Sequence, residues 1–254
     1  MVLHPQPSHK KSIHGNVLFL ILIAVGLFAA LSYAVSQSSG GGRDIDRETV
    51  ILSAGQLVQY GALANSIVSN LRFAQGCLEN QLSFERAPFD GSDTDYVNPN
   101  APTDLSCHIF SPNGGGLEIV NPNTIPGLTD ATTEMEFYGG TRVAGAGNNA
   151  LVLIGTPSPA VDLTLIVRNI SVDACNAIND GVGVEGAIPI DNGDLNDAPF
   201  VGQYIVEDTI DGCGADNCID IVADSPWGSR GIQNACFIEE NTGNRIYFHT
   251  LLVR

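Results

Sequence analysis

VLFLILIAVGLFAALSYAV, residues 17–35, decides how the rest of the chain is read, because it carries no charge and no proline. Wound as an α-helix it rises roughly 28 Å, close to the thickness of a bilayer's hydrocarbon core. The stretch therefore predicts a membrane-inserting helix. A cleaved signal peptide is the alternative: its apolar region is shorter, about 7 to 15 residues, and Ser32 and Ala34 offer small residues at a cut.

Charge sets the orientation. Lys10 and Lys11, the only lysines, precede the apolar run together with His9 and His14. The positive-inside rule keeps that end cytoplasmic and exports everything after Val35. Nine arginines then face twenty-eight Asp and Glu residues, a net charge of −19. Such a surface repels nucleic acid and anionic lipid, so neither is expected as a partner.

All six cysteines, Cys77, Cys107, Cys175, Cys213, Cys218 and Cys236, follow the apolar run. An even number in an exported segment predicts disulfides. Cys213 with Cys218 is the one pair that spacing suggests, since CGADNC closes as a small turn. No CxxC and no zinc spacing occurs.

Composition divides the chain into a polar leader or cytoplasmic tail (1–15), the hydrophobic helix (16–35), a glycine-rich hinge (36–43), an amphipathic helix (44–82) and a β-rich exported head (83–254). Asp44, Asp46 and Glu48 place negative charge in the first turns of the second helix, where the dipole favours it. Val50, Ala54, Leu57, Gly61, Ala64, Val68 and Leu71 then recur at alternating spacings of four and three, one apolar seam. Ile51, Val58, Leu63, Ile67 and Phe73 lie off that seam, and between Glu48 and Arg72 there is no charge. The helix is expected to meet both its own head and something else, the alternative being a helix simply buried in one large core. The seam, with small residues at Ala54, Gly61 and Ala64, is expected to pack helices of neighbouring subunits.

HKKSIHG followed by NVLFLILIAVGLFAAL resembles the start of type IV pilins and pseudopilins: a short basic leader ending in glycine, then an apolar helix continuing into an amphipathic one. The resemblance implies cleavage after Gly15, a mature first residue Asn16, and bundling of the helices into a filament core. Where the family carries a glutamate at the fifth mature position, this chain has Leu20. Fold class is accordingly expected to be α+β, a long N-terminal helix packed on a mainly antiparallel sheet with disulfides.

Within the head, Leu117 to Val120, Met135 to Tyr138, Ala150 to Ile154 and Leu163 to Ile170 have strand composition. Ser171 to Ile178 reads as a short helix capped by Ser171 and tethered by Cys175. Residues 235–240 and 245–253 flank Asn241-Thr-Gly-Asn244 as a hairpin. The second strand is apolar on both faces, as a covered central strand is. His249 on it is expected to be structural.

The acidic loops supply the only candidate chemistry. Asp191, Asp194, Asn196 and Asp197 offer hard oxygen ligands for Ca²⁺, as do Asp90, Asp93 and Asp95, though neither loop has EF-hand spacing and acidic Gly/Asn turns of this kind are common without metal. No GxSxG, Walker loop, HExxH or dinucleotide fingerprint occurs, and the exported part holds two histidines, His108 and His249. The expected function is a non-enzymatic, pilin-like subunit of an extracellular or periplasm-spanning filament. Its partners are copies of itself or related subunits, and it rests in a bacterial inner membrane through Val17 to Val35 before assembly. The alternatives are a single-pass anchored binding module and a secreted enzyme.

Overall fold

The computed structural model describes residues 16–38, 42–145, 152–153, 161–191, 195, 198–204, 218–219 and 232–254. The chain is α+β and divides into two compact units, Met1–Asp46 and Arg47–Arg254.

The first unit contains helix α1 (Asn16–Ser38), which has no acidic residue in its first turn and no basic residue in its last. Helix α2 (Gly42–Phe73) starts before the predicted boundary and carries the chain into the second unit. Only Ser39 to Gly41 of the expected hinge lie outside the described residues. α2 also ends earlier than the predicted Leu82. Gly76 takes the left-handed conformation at φ 75°, and the N–H groups of Ala74 and Cys77 close on the carbonyls of Asn70 and Leu71. That satisfies the last turn and stops the helix.

The second unit is built on a seven-stranded sheet. Its long strands are β1 (Met135–Gly145), β3 (Asp162–Val167), β6 (Asn234–Glu239) and β7 (Arg245–Leu252). They are antiparallel in the order β1-β3-β7-β6. Short edges complete it: β2 (Val152–Leu153) beside β1, β4 (Ile190–Asp191) parallel to β6, and β5 (Cys218–Ile219) parallel to β1. The sheet is thus mixed, antiparallel at its centre.

Successive residues of β7 point to opposite faces. Tyr247 and Leu251 join a core with α2 and helix α3 (Val172–Val182), while Ile246 and Phe248 join a second core with Tyr138, Ile166 and Phe237. Cover on both sides explains why this strand carries apolar side chains on both faces. Ser171 caps α3 by accepting from the Ala174 N–H at 3.2 Å, and Cys175 ties the helix to β6 through Cys236. The hairpin between β6 and β7 turns at Gly243, φ 69°.

Leu117 to Val120, expected as a strand, pairs with none. It belongs to a long irregular segment after α2 whose Leu82, Phe84, Ile109 and Phe110 are buried. Phe84 stacks on Phe137 of β1 with centroids 4.3 Å apart, and the disulfide Cys77–Cys107 closes the segment's first half. These contacts fill the sheet face beside α2 with side chains, so the segment needs no ladder of its own.

Candidate functional site

Helices α1 and α2 both expose large apolar side chains. On α1 the described side chains from Phe19 to Tyr33 are exposed on every side, among them Leu22 at 72% and Phe28 at 75%. A helix apolar all round is stable in water only when something covers it. Among the described residues no helix is long and apolar enough to cross a membrane; the part of α1 with described side chains rises only about 22 Å.

α2 has two unlike faces. Ala54, Leu57, Ala64, Val68 and Leu71 are at most 1% exposed and belong to the core of the second unit, with Val50 packed against them. Burial of Leu57, Val68 and Leu71 contributes about 1.5–3 kcal/mol each. Gly61 allows the closest approach: a Cβ there would lie 2.5 Å from His249 Nδ1 and 2.8 Å from the Tyr247 hydroxyl. One turn on, Asn65 Nδ2 donates to the carbonyls of Thr250 and Leu251 at 3.1 and 2.9 Å. Ser53 donates its hydroxyl to the Pro126 carbonyl at 2.8 Å.

The seam expected to join subunits is therefore consumed inside the chain's own head. Gly61 admits strand β7, Asn65 is matched to that strand's carbonyls, and Ser53 is matched to the carbonyl of Pro126. The outward face is different. Ile51, Leu52, Leu63 and Phe73 are exposed, Gln56, Gln59, Ala62, Ser66 and Asn70 lie open beside them, and a Cβ on Gly55 would meet nothing within 4 Å. Sequence periodicity had set Ile51, Leu63 and Phe73 off the seam; Leu52 escaped because it falls beside Ser53 and Ala54, both buried.

At the end of α2 an open cleft of about 550 Å³ is lined by Arg72, Phe73, Leu78, Glu79, Tyr204 and Arg254. Glu79 accepts from Arg72 at 2.7 Å and from Arg254 at 3.0 Å, and the Arg254 guanidinium lies 3.9 Å above the Tyr204 ring. Burial first, and the nearby Glu79 carboxylate second, push the Tyr204 hydroxyl far up, so it stays protonated. Nothing in the sequence pattern brings these residues together.

The remaining charged interior is closed. His108 Nε2 lies 3.5 Å from Glu85, both buried, and Glu85 also accepts from the Gly91 N–H at 2.7 Å. Asp162 accepts from the N–H groups of Val143 and Arg254; burial still pushes its carboxyl up to about 6. His249, with its Nδ1 3.0 Å from the Tyr247 hydroxyl, is drawn down to about 4 by burial.

Other residues singled out from the sequence divide as follows. Gly15 lies outside the described residues, and Asn16 opens α1. Cys213 is outside them too, and Cys218 is placed only as backbone in β5, so the pairing of these two is not described. Cys77–Cys107 and Cys175–Cys236 are bonded. Asp194, Asn196 and Asp197 lie outside the described residues, while Asp191 is buried in β4. Asp93 accepts from the Arg86 N–H and Asp90 from the Ser92 N–H, which ties both to their own turn. Among the described residues no three acidic, histidine or cysteine side chains gather as a metal site.

Comparison with protein-family models, curated proteins and solved structures finds no match.

Proposed function

We propose that this chain is a pilin-like structural subunit, held in a membrane by its apolar N-terminal helix and then assembled into a filament with the β-rich head outward. One observation carries the reading: α1 presents apolar side chains on every described side, so its cover comes from lipid or from other helices. The leader HKKSIHG before it supports processing at Gly15. The outward face of α2 supports contact between copies. It is uncharged between Glu48 and Arg72 on a chain of net charge −17, which makes it the surface where copies approach with least repulsion.

Leu20 favours a second reading, since an apolar residue in place of the family's glutamate suits a permanent single-pass anchor for an exported binding module. The N-terminal sequence and intact mass of the protein from its native host separate the two. A start at Asn16 is the expected result. A start at Met1, or after Ala34, overturns the processed filament subunit.

A further inference from the structure

We propose that the seat of α2 on β7 is an acid-opened closure, in which protonation of His249 releases the middle of α2 from the sheet. The geometry at Gly61 is what makes this residue decisive. The helix backbone lies against the imidazole with no room for even one added carbon, and the ring is 5% exposed. In the neutral ring Nδ1 shares a hydrogen bond of 3.0 Å with the Tyr247 hydroxyl, its direction set by the tautomer. An imidazolium has two donors and a full charge to place in the same space.

Among the described residues no anion is in place to answer that charge. From α2 come Gly61 and Asn65, whose amide is already spent on the β7 carbonyls. On the neighbouring strands its register partners are Leu165 of β3 and Asn234 of β6. Tyr247, two residues earlier on β7, is the titratable group that touches the ring, and burial pushes its hydroxyl up, so it supplies no anion. A buried charge without a partner is relieved most readily by opening a path to water, and the element above the ring is α2.

The sign follows from linkage. The closed form holds His249 below its ordinary value, so closure is favoured above about pH 6.5 and weakens as pH falls toward 4. Between pH 7 and pH 5 the opening equilibrium rises about 20-fold. Asp162 titrates in the opposite sense: its raised carboxyl favours the folded sheet when protonated, an effect lost as pH rises through about 6. Global unfolding sums the two, so the readout has to be local to α2.

Amide hydrogen exchange of the full chain in detergent, corrected for intrinsic rates, tests it. Peptides covering Leu57 to Val68 are expected to lose about 20-fold in protection between pH 7 and pH 5, while α3, which packs on β6, keeps its protection. His249→Gln is neutral at both pH values and is expected to abolish the loss. Wild-type protection unchanged at pH 5, or an equal loss in H249Q, overturns the proposal. If H249Q fails to fold, histidine NMR on the wild type replaces it. A ring that titrates well below its ordinary value in step with α2 exchange supports the closure. A ring that titrates near 6.5 while α2 stays protected overturns it.

Discussion

α1 and α2 are both long helices built largely of uncharged residues, yet they meet their surroundings in opposite ways. α1 buries none of its described side chains in the chain itself, whereas α2 buries one full face at 0–1% exposure and leaves the other open. Hydrophobicity alone does not account for this. What seats α2 is shape and polar matching: a glycine where β7 comes closest, an asparagine that reaches two strand carbonyls, and a serine that reaches Pro126. α1 instead exposes apolar side chains on every described side, and that surface suits a medium or a bundle rather than one particular strand.

The largest effect is expected where that seat is tightest. Gly61→Leu drives a side chain into His249 and Tyr247, and overpacking of this kind costs about 3 kcal/mol or more. Urea denaturation of the full chain should show the midpoint falling sharply, and an unchanged midpoint would mean that α2 does not rest on β7. Leu27→Asp applies the complementary stress to α1. A carboxylate near the middle of the apolar run costs about 3 kcal/mol of membrane insertion, so the variant should leave the membrane fraction while the head's melting temperature stays within error. A variant that remains fully membrane-bound would argue that α1 is covered by protein instead. The smallest effect sharpens the contrast between the two faces of α2. Gly55→Ala meets open space and gains helix propensity, so it should stabilise the head by up to about 1 kcal/mol, measured by the same denaturation. A loss there would place an unseen contact on the outward face.

Much of this was legible before any coordinates. The hairpin of β6 and β7, the Ser171 cap of α3 and the central place of β7 all rest on local rules: a turn that needs positive φ, a hydroxyl that takes the first free N–H, a strand apolar on both faces. The amphipathic seam was equally plain. Its partner was not, because periodicity says that a face is buried and never by what. The same limit explains the disulfides. Cys175 finds Cys236 across 61 residues and Cys77 finds Cys107 across 30, distances over which spacing carries no signal. Leu117 to Val120 has the composition of a strand, but composition does not say what lies beside it, and here the Leu117 N–H closes on the Ile109 carbonyl within an irregular segment. The cleft of Arg72, Glu79, Tyr204 and Arg254 joins three distant stretches and had no sequence signature at all.

β7 lies between β3 and β6 in the middle of the sheet, and Asn65 of α2 holds a carbonyl 186 residues further along the chain. Contacts of such reach form late and slowly. During synthesis α2 and β3 are both made long before β7, which packs on the one and pairs with the other, exists, so they wait with their apolar faces uncovered. A chain that crosses a membrane from its N-terminal end would arrive in that incomplete state, and would close only once residues 245–252 had passed through.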